Sequence, residues 1–195
     1  MRHKTKTELN NMKQLITFSI LVLLVISFSS CEQEALQPSI KYTNLNDMKA
    51  SQSQSFSLDI DGDGDTEFLF TTLLVADQSG DKRQFIISPA RANQVFEIAG
   101  GVGVLKAGQE IALGNPFNKN LEPMVVKSIT DASVTWSGDW KDVNNKFIGI
   151  RFRLADQEYY YGWIRVSFDQ SNEQFIIHDF AYCTTLNLGI KAGPK

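Results

Sequence analysis

From Phe56 onward, apolar and polar positions alternate with a period of two. Phe56, Leu58 and Ile60 are interleaved with Ser57 and Asp59, the spacing of a half-buried strand. Phe68 to Val75 (FLFTTLLV) is a run of apolar and β-branched residues. Gln84 to Ser88 follows the turn Ser79-Gly80-Asp81 and stops at Pro89, which cannot donate to a central ladder. Gln94 to Ile98, Gly103 to Leu105, Met124 to Ile129, Ala132 to Trp136, Phe147 to Leu154, Tyr159 to Phe168 and Phe175 to Tyr182 complete the predicted strands. No window carries sustained helical periodicity with caps, and a brief helical turn is expected near Ala90 to Asn93. Short strands between turn signals predict an all-β antiparallel sandwich, jelly-roll-like or similar.

Alternation also assigns faces to the hairpin of Phe147–Leu154 and Tyr159–Phe168. Ile148, Ile150, Phe152 and Leu154 share one face with Tyr160, Ile164, Val166 and Phe168, and that face is predicted to be core. The other face carries Arg151, Tyr161, Trp163 and Arg165. Read as open, it is a candidate ligand platform, with aromatic surface for a sugar ring and arginine donors. Read as covered, it is a structural ladder.

Ahead of the strands, Glu32 to Ser55 is polar and reads as a flexible tether, although Ile40 to Tyr42 has the composition of a short strand. The domain is therefore expected over 56–195. Leu15 to Cys31 (LITFSILVLLVISFSSC) joins an apolar run to small residues and a cysteine. The run is too short for a span of about 20 residues and suits a signal-peptide core over residues 1–30, with Lys13 as its positive flank. Met12 is an alternative start to Met1. Phe28-Ser29-Ser30-Cys31 resembles the lipobox of bacterial lipoproteins, with Phe28 in place of the usual Leu. The resemblance implies lipidation of Cys31, a membrane anchor and a place in the bacterial cell envelope as an outer-membrane lipoprotein. Glu32 and Glu34 after the cysteine look like a surface-export signal.

Removal of the segment before Cys31 takes Arg2, Lys4, Lys6 and Lys13 with Glu8, so the formal net charge moves from −3 to −6. An acidic chain without a basic stripe argues against nucleic acid as a partner. With Cys31 lipidated, Cys183 has no disulfide partner. It is either a small buried hydrophobe or a reactive thiol.

The chemistry concentrates in Asp59-Ile60-Asp61-Gly62-Asp63-Gly64-Asp65-Thr66-Glu67. Carboxylates on alternate residues, with glycines that let the backbone curl, gather oxygens around one centre, as Ca²⁺ requires. Asp59, Asp61, Asp63, Asp65 and Glu67 are the candidate ligands. The spacing resembles the opening of an EF-hand loop, but Phe70 stands where the bidentate Glu belongs. It is closer to the Asp-rich calcium loops between strands of secreted bacterial proteins. Together with Tyr160-Tyr161-Gly162-Trp163-Ile164-Arg165, Asp179-Phe180-Ala181-Tyr182 and Gly189 to Gly193, the loop resembles a group of secreted bacterial β-domain proteins with a DxDGDGxxDF-type loop and a YGWIR…DFAY…GIKAG pattern. That resemblance implies a β-fold outside the cytoplasm and no established activity. The end of the chain at Lys195 fits anchoring at the other end, through Cys31.

For catalysis, a Ser-His-Asp triad would need His178, the only histidine after Cys31, and strand alternation points its neighbour Asp179 to the opposite face. No nucleophile elbow, P-loop or dinucleotide fingerprint is present. Two readings stand. One is a non-catalytic, calcium-stabilised module that binds a glycan or protein ligand. The other is a glycan-acting hydrolase with a carboxylate pair.

Overall fold

Among the described residues the chain forms fourteen strands, and all observed pairings are antiparallel. The computed structural model describes residues 38–193 apart from 78–79, 121–122 and 156–157. The expected signal peptide, Cys31 and the tether before Pro38 lie outside the described residues. In chain order come β1 (Ile40–Ser51), β2 (Phe56–Leu58), β3 (Phe68–Asp77), β4 (Gly80–Pro89) and β5 (Gln94–Ile98). The short strands β6 (Gly101–Val102), β7 (Glu110–Ile111) and β8 (Phe117–Asn118) follow, then β9 (Val125–Ile129) and β10 (Val134–Ser137). The last four are β11 (Lys146–Ala155), β12 (Glu158–Asp169), β13 (Gln174–Cys183) and β14 (Ile190–Lys191). No helix occurs among the described residues. At Ala90–Asn93 the chain makes a turn, closed by the Asn93 amide on the Ala90 carbonyl, with Arg91 at φ 54°.

A 7-stranded sheet runs β1-β13-β12-β11-β5-β6, with β8 also on β5, and a 5-stranded sheet runs β10-β9-β4-β3-β2. Their facing sides form the main core. Ile148, Ile150, Phe152, Ile164, Val166 and Phe168 lie there as alternation predicts, with Phe175, Ile177 and Phe180 of β13. Leu58, Phe68, Phe70, Phe85, Ile87 and Val125 answer from the smaller sheet. Phe85 meets Phe168 edge-on at 4.9 Å and Phe70 meets Phe175 at 5.6 Å. Each such side chain contributes about 1.5–3 kcal/mol by leaving water, so these contacts hold the two layers together.

The domain starts earlier than expected. Ile40–Ser51 is a full edge strand on β13 rather than part of a tether. Only Ala50 of β1 is buried, which is why its composition looks like linker.

A second, smaller core lies on the other side of the larger sheet. Leu105, Ile111, Phe147, Tyr161, Trp163, Ala181, Cys183 and Ile190 form it, roofed by the small β14-β7 sheet. Gly149 faces Trp163 across the β11–β12 ladder. A Cβ there would sit 2.8 Å from Phe96 Cβ and 3.0 Å from Leu105 Cδ1, so the glycine admits this roof. Cys183 is buried in the same cluster, the hydrophobe of the two readings.

Both ladders of β13 break at the same place. Arg165 pairs with Asp179 and Val166 with Ile177, leaving His178 as an extra residue. On the other flank of β13, Asn44 pairs with Asp179 and Met48 with Ile177, so Leu45, Asn46 and Asp47 stand opposite His178. Asn46 and Asp47 take positive φ of 53° and 59°, a conformation that Asn and Asp tolerate better than most residues. Coincident bulges like these re-aim side chains.

Candidate functional site

The acidic loop connects β2 to β3 and is knotted by its own side chains. Asp59 accepts the Gly62 and Gly64 amides on its two oxygens, at 2.7 and 2.9 Å. Asp61 accepts the Asp63 amide at 3.1 Å and Asp63 accepts the Asp65 amide at 2.7 Å. Gly62 and Gly64 hold φ near +90°, open to glycine at little cost. At the loop's end, the Glu67 amide donates to the Leu58 carbonyl, and Glu67 Oε2 accepts the Ile60 amide at 2.7 Å.

This folding brings one carboxylate oxygen from each of Asp59, Asp61 and Glu67 within 4.8 Å of the others, a group that could hold a metal ion. Glu67 is 5% exposed. Burial raises its pKa, and the charges of Asp61, Asp59 and Asp63 raise it further, against the lowering effect of the Ile60 amide. Three hard oxygen donors under mutual repulsion are the chemistry a divalent cation relieves. Asp63 and Asp65, the other two expected ligands, are not in this group. Asp63 turns one oxygen to its own loop, and Asp65 is ion-paired to Arg91.

The expected ligand platform is overturned. Tyr161 is fully buried and Trp163 is 1% exposed, because non-adjacent segments around Leu105, Ile111 and Ile190 pack over that face. Phe147 meets Trp163 edge-on at 5.1 Å. Arg151 makes cation–π contacts, with Phe117 and Tyr159 at 4.7 and 4.4 Å, and its Nε donates to Gln94 at 2.7 Å. Arg165 forms a fork with Asp179, its Nε donating to Oδ1 at 2.9 Å and its Nη2 to Oδ2. Tyr42 of β1 also donates to Asp179 Oδ2, at 2.8 Å, and that bond keeps the phenol proton on and raises its pKa. The Arg and Asp of the C-terminal pattern are thus partners in a structural pair, with Asp179 buried and Arg165 half-buried.

Beyond this pair the face carries a polar chain that sequence reasoning missed. The bulge turns His178 to the same side as Asp179, correcting the expectation of opposite faces. His178 Nε2 lies 2.8 Å from Ser167 Oγ and Nδ1 lies 2.5 Å from Asp47 Oδ1. Serine, imidazole and carboxylate in this order match the connectivity of a hydrolase triad. Asp47, 131 residues away in sequence, does what Asp179 does not. The available signal was Asn46-Asp47, a pair suited to positive φ inside a strand.

The serine oxygen is nevertheless spoken for. It accepts the Asn145 amide at 2.9 Å and lies 2.9 Å from Asn144 Oδ1. With His178 and its own Cβ, these partners fill its tetrahedral surroundings. A nucleophile needs an unfilled position about 3 Å away for the reacting carbon, and Ser167 is 6% exposed. This arrangement fastens β1 to β13 and β12. Comparison with family models, curated proteins and solved structures finds no match to this chain.

Proposed function

We propose that this chain is a lipoprotein of the bacterial cell envelope, anchored through lipid on Cys31, whose β domain is stabilised by Ca²⁺ and acts as a non-catalytic binding or structural module. The observation that carries the calcium reading is the convergence of Asp59, Asp61 and Glu67. Bound there, the ion would supply positive charge that offsets their repulsion and would tie the β2–β3 connection. The filled surroundings of Ser167 support the non-catalytic part.

A ligand that binds only the folded state adds RT ln(1 + [L]/Kd), about 2.7 kcal/mol at a hundredfold excess over Kd. Melting of the full chain should rise with millimolar Ca²⁺ and fall with a chelator. Asp61→Asn keeps an acceptor for the Asp63 amide but removes the charge, and it should abolish the shift. Melting indifferent to calcium would leave an acidic turn. Anchoring is tested separately: Cys31→Ser should free the protein from the membrane fraction or leave it unprocessed.

The raised pKa of Glu67 favours the second reading, a glycan-acting hydrolase pairing Glu67 with Asp59. Both Asp59 oxygens accept loop amides, which sets that carboxylate to shaping the loop. Release of reducing sugar that disappears in Glu67→Gln would reverse the order of the two readings.

A further inference from the structure

The polar chain around His178 has a fixed direction. Arg165 can only donate, and its Nη1 lies 3.3 Å from Asn145 Oδ1. The Asn145 side-chain nitrogen therefore faces Asn144 and donates to its Oδ1 at 3.0 Å. Asn144 in turn presents that oxygen to Ser167 Oγ, 2.9 Å away, so the single hydroxyl proton of Ser167 is donated to it. The Asn145 backbone amide donates to the same Oγ at 2.9 Å. What remains on Ser167 toward His178 Nε2, at 2.8 Å, is a lone pair. On the other side of the ring, Nδ1 faces Asp47 Oδ1 at 2.5 Å, and a carboxylate only accepts. Both ring nitrogens meet acceptors, which the imidazolium alone satisfies. Moving the extra proton to Asp47 would keep the count, but the imidazole is the stronger base.

The charged neighbours do not compete for that proton. Arg165 forks onto Asp179, and Tyr42 donates to the same carboxylate. These bonds raise the pKa of both Tyr42 and Arg165, so each keeps its proton through neutral and mildly alkaline pH. Asp169, further along β12, is bound in its own turn by Asn172. Lys141 and Asp142, in the loop that carries Asn144, pair with each other. Lys49 of β1 stands on the same face, opposite Ile176, which itself pairs with Ser167. At the far end of the sheet Glu173 pairs with Arg83 and Lys127, and its carboxyl is held below the usual range. His178 is the group of this junction with a proton to lose near neutrality.

The strand it holds has little else to hold it. Only Ala50 of β1 is buried, and Asn46 and Asp47 bridge the bulge at positive φ. We propose that His178 is a proton-operated clasp on the edge strand β1. As imidazolium it binds Asp47 and Ser167 together. When it gives one ring proton to solvent, either Nδ1 turns a lone pair on the Asp47 carboxylate, or Nε2 takes the Ser167 proton and the bond to Asn144 is lost. In both cases Asp47 loses its charge attraction, and the 44–48 bulge loosens from β13. A docked strand that binds one proton more than a loosened one is held fully at mildly acid pH. The hold weakens as the pH rises past about 6.5, where a free histidine gives up its proton.

The test combines ring-nitrogen NMR with amide hydrogen exchange on the full chain. At about pH 7, where a free imidazole is mostly neutral, His178, assigned by sequential connectivity, should show both ring nitrogens protonated. Amide protection over residues 42–50, taken relative to residues 148–152 of β11, should fall at least roughly threefold from about pH 6 to about pH 9. That trend should disappear in His178→Gln and in Asp47→Asn. A ring protonated on one nitrogen at about pH 7, or the same protection trend in the parent and in either variant, would overturn the proposal. The ring measurement needs only the parent chain, so it decides the matter even where a variant does not fold. No residue of the calcium loop takes part, and the outcome is read independently of the calcium reading.

Discussion

Trp163→Ala removes the largest side chain of the outer core, and its cost measures whether that face is closed. The indole is 1% exposed, with Phe147 edge-on at 5.1 Å and Tyr42 at 6.3 Å. A tryptophan buries about 150–250 Å². At about 25 cal/mol per Å² this amounts to ~4–6 kcal/mol against full exposure, of which alanine retains part. Measured Trp→Ala changes in cores of about 3–5 kcal/mol agree. For a domain of this size, each kcal/mol moves the melting temperature by about 2–4 °C, so the variant should melt roughly 10 °C lower. Guanidinium denaturation should show a lower midpoint with an unchanged slope. Leu74→Ala, at a residue 59% exposed, is the control and should stay within about 0.5 kcal/mol. A loss below ~1 kcal/mol for Trp163→Ala at constant slope would refute the packing argument and return the face to solvent.

Asp179→Asn should cost about 2–3 kcal/mol, below the range for a fully buried pair because the Arg165 side chain keeps 34% exposure; a chemical denaturation curve matching the parent would contradict this. Asp47→Asn and His178→Ala should be non-additive, with a coupling of about 0.5–3 kcal/mol by double-mutant cycle, and a fluorophosphonate probe should leave Ser167 unlabelled in intact-mass spectra. Glu173, held below its usual pKa, contributes stability that is complete above the unfolded value of about 4.3 and is lost as the pH falls through it toward the folded value. Glu173→Gln should therefore flatten the acid limb of a stability–pH profile, and an unchanged limb would exclude the pairing with Arg83 and Lys127.

The inner faces of β11 and β12 were legible because alternation is unbroken there. Ile148, Ile150 and Phe152 on one strand and Ile164, Val166 and Phe168 on the other all fall on the core face without a slip. Legibility stops at His178, where one extra residue moves the core positions from Ile177 to Phe180, a shift that no local apolar pattern records. β1 was illegible for a different reason. An edge strand with one buried residue has the composition of a linker, and its partner β13 is far along the chain. The roof over Trp163 was hidden because period-two alternation separates two faces but says nothing about what a distant segment lays on either. In the acidic loop the five carboxylates were visible, while the division between Asp59, Asp61 and Glu67 and the other two depends on Arg91 and the loop's own amides.

The pairing of β1 with β13 also fixes an order of events. The first strand to be synthesised is completed by Phe175 to Cys183 near the end of the chain, and β13 joins β1 to β12 only once it has emerged. Ladders of such wide sequence separation form late, because loop-closure entropy is lost before their contacts are gained. Until then β1 has no partner in the larger sheet, and the β11–β12 hairpin presents an open edge, the kind of surface on which chains associate wrongly. A chain truncated at Thr184 retains every main-sheet strand and should still close the sheet. One stopped at Ser171 loses the strand that joins β1 to the rest, and it should accumulate as aggregate or be degraded.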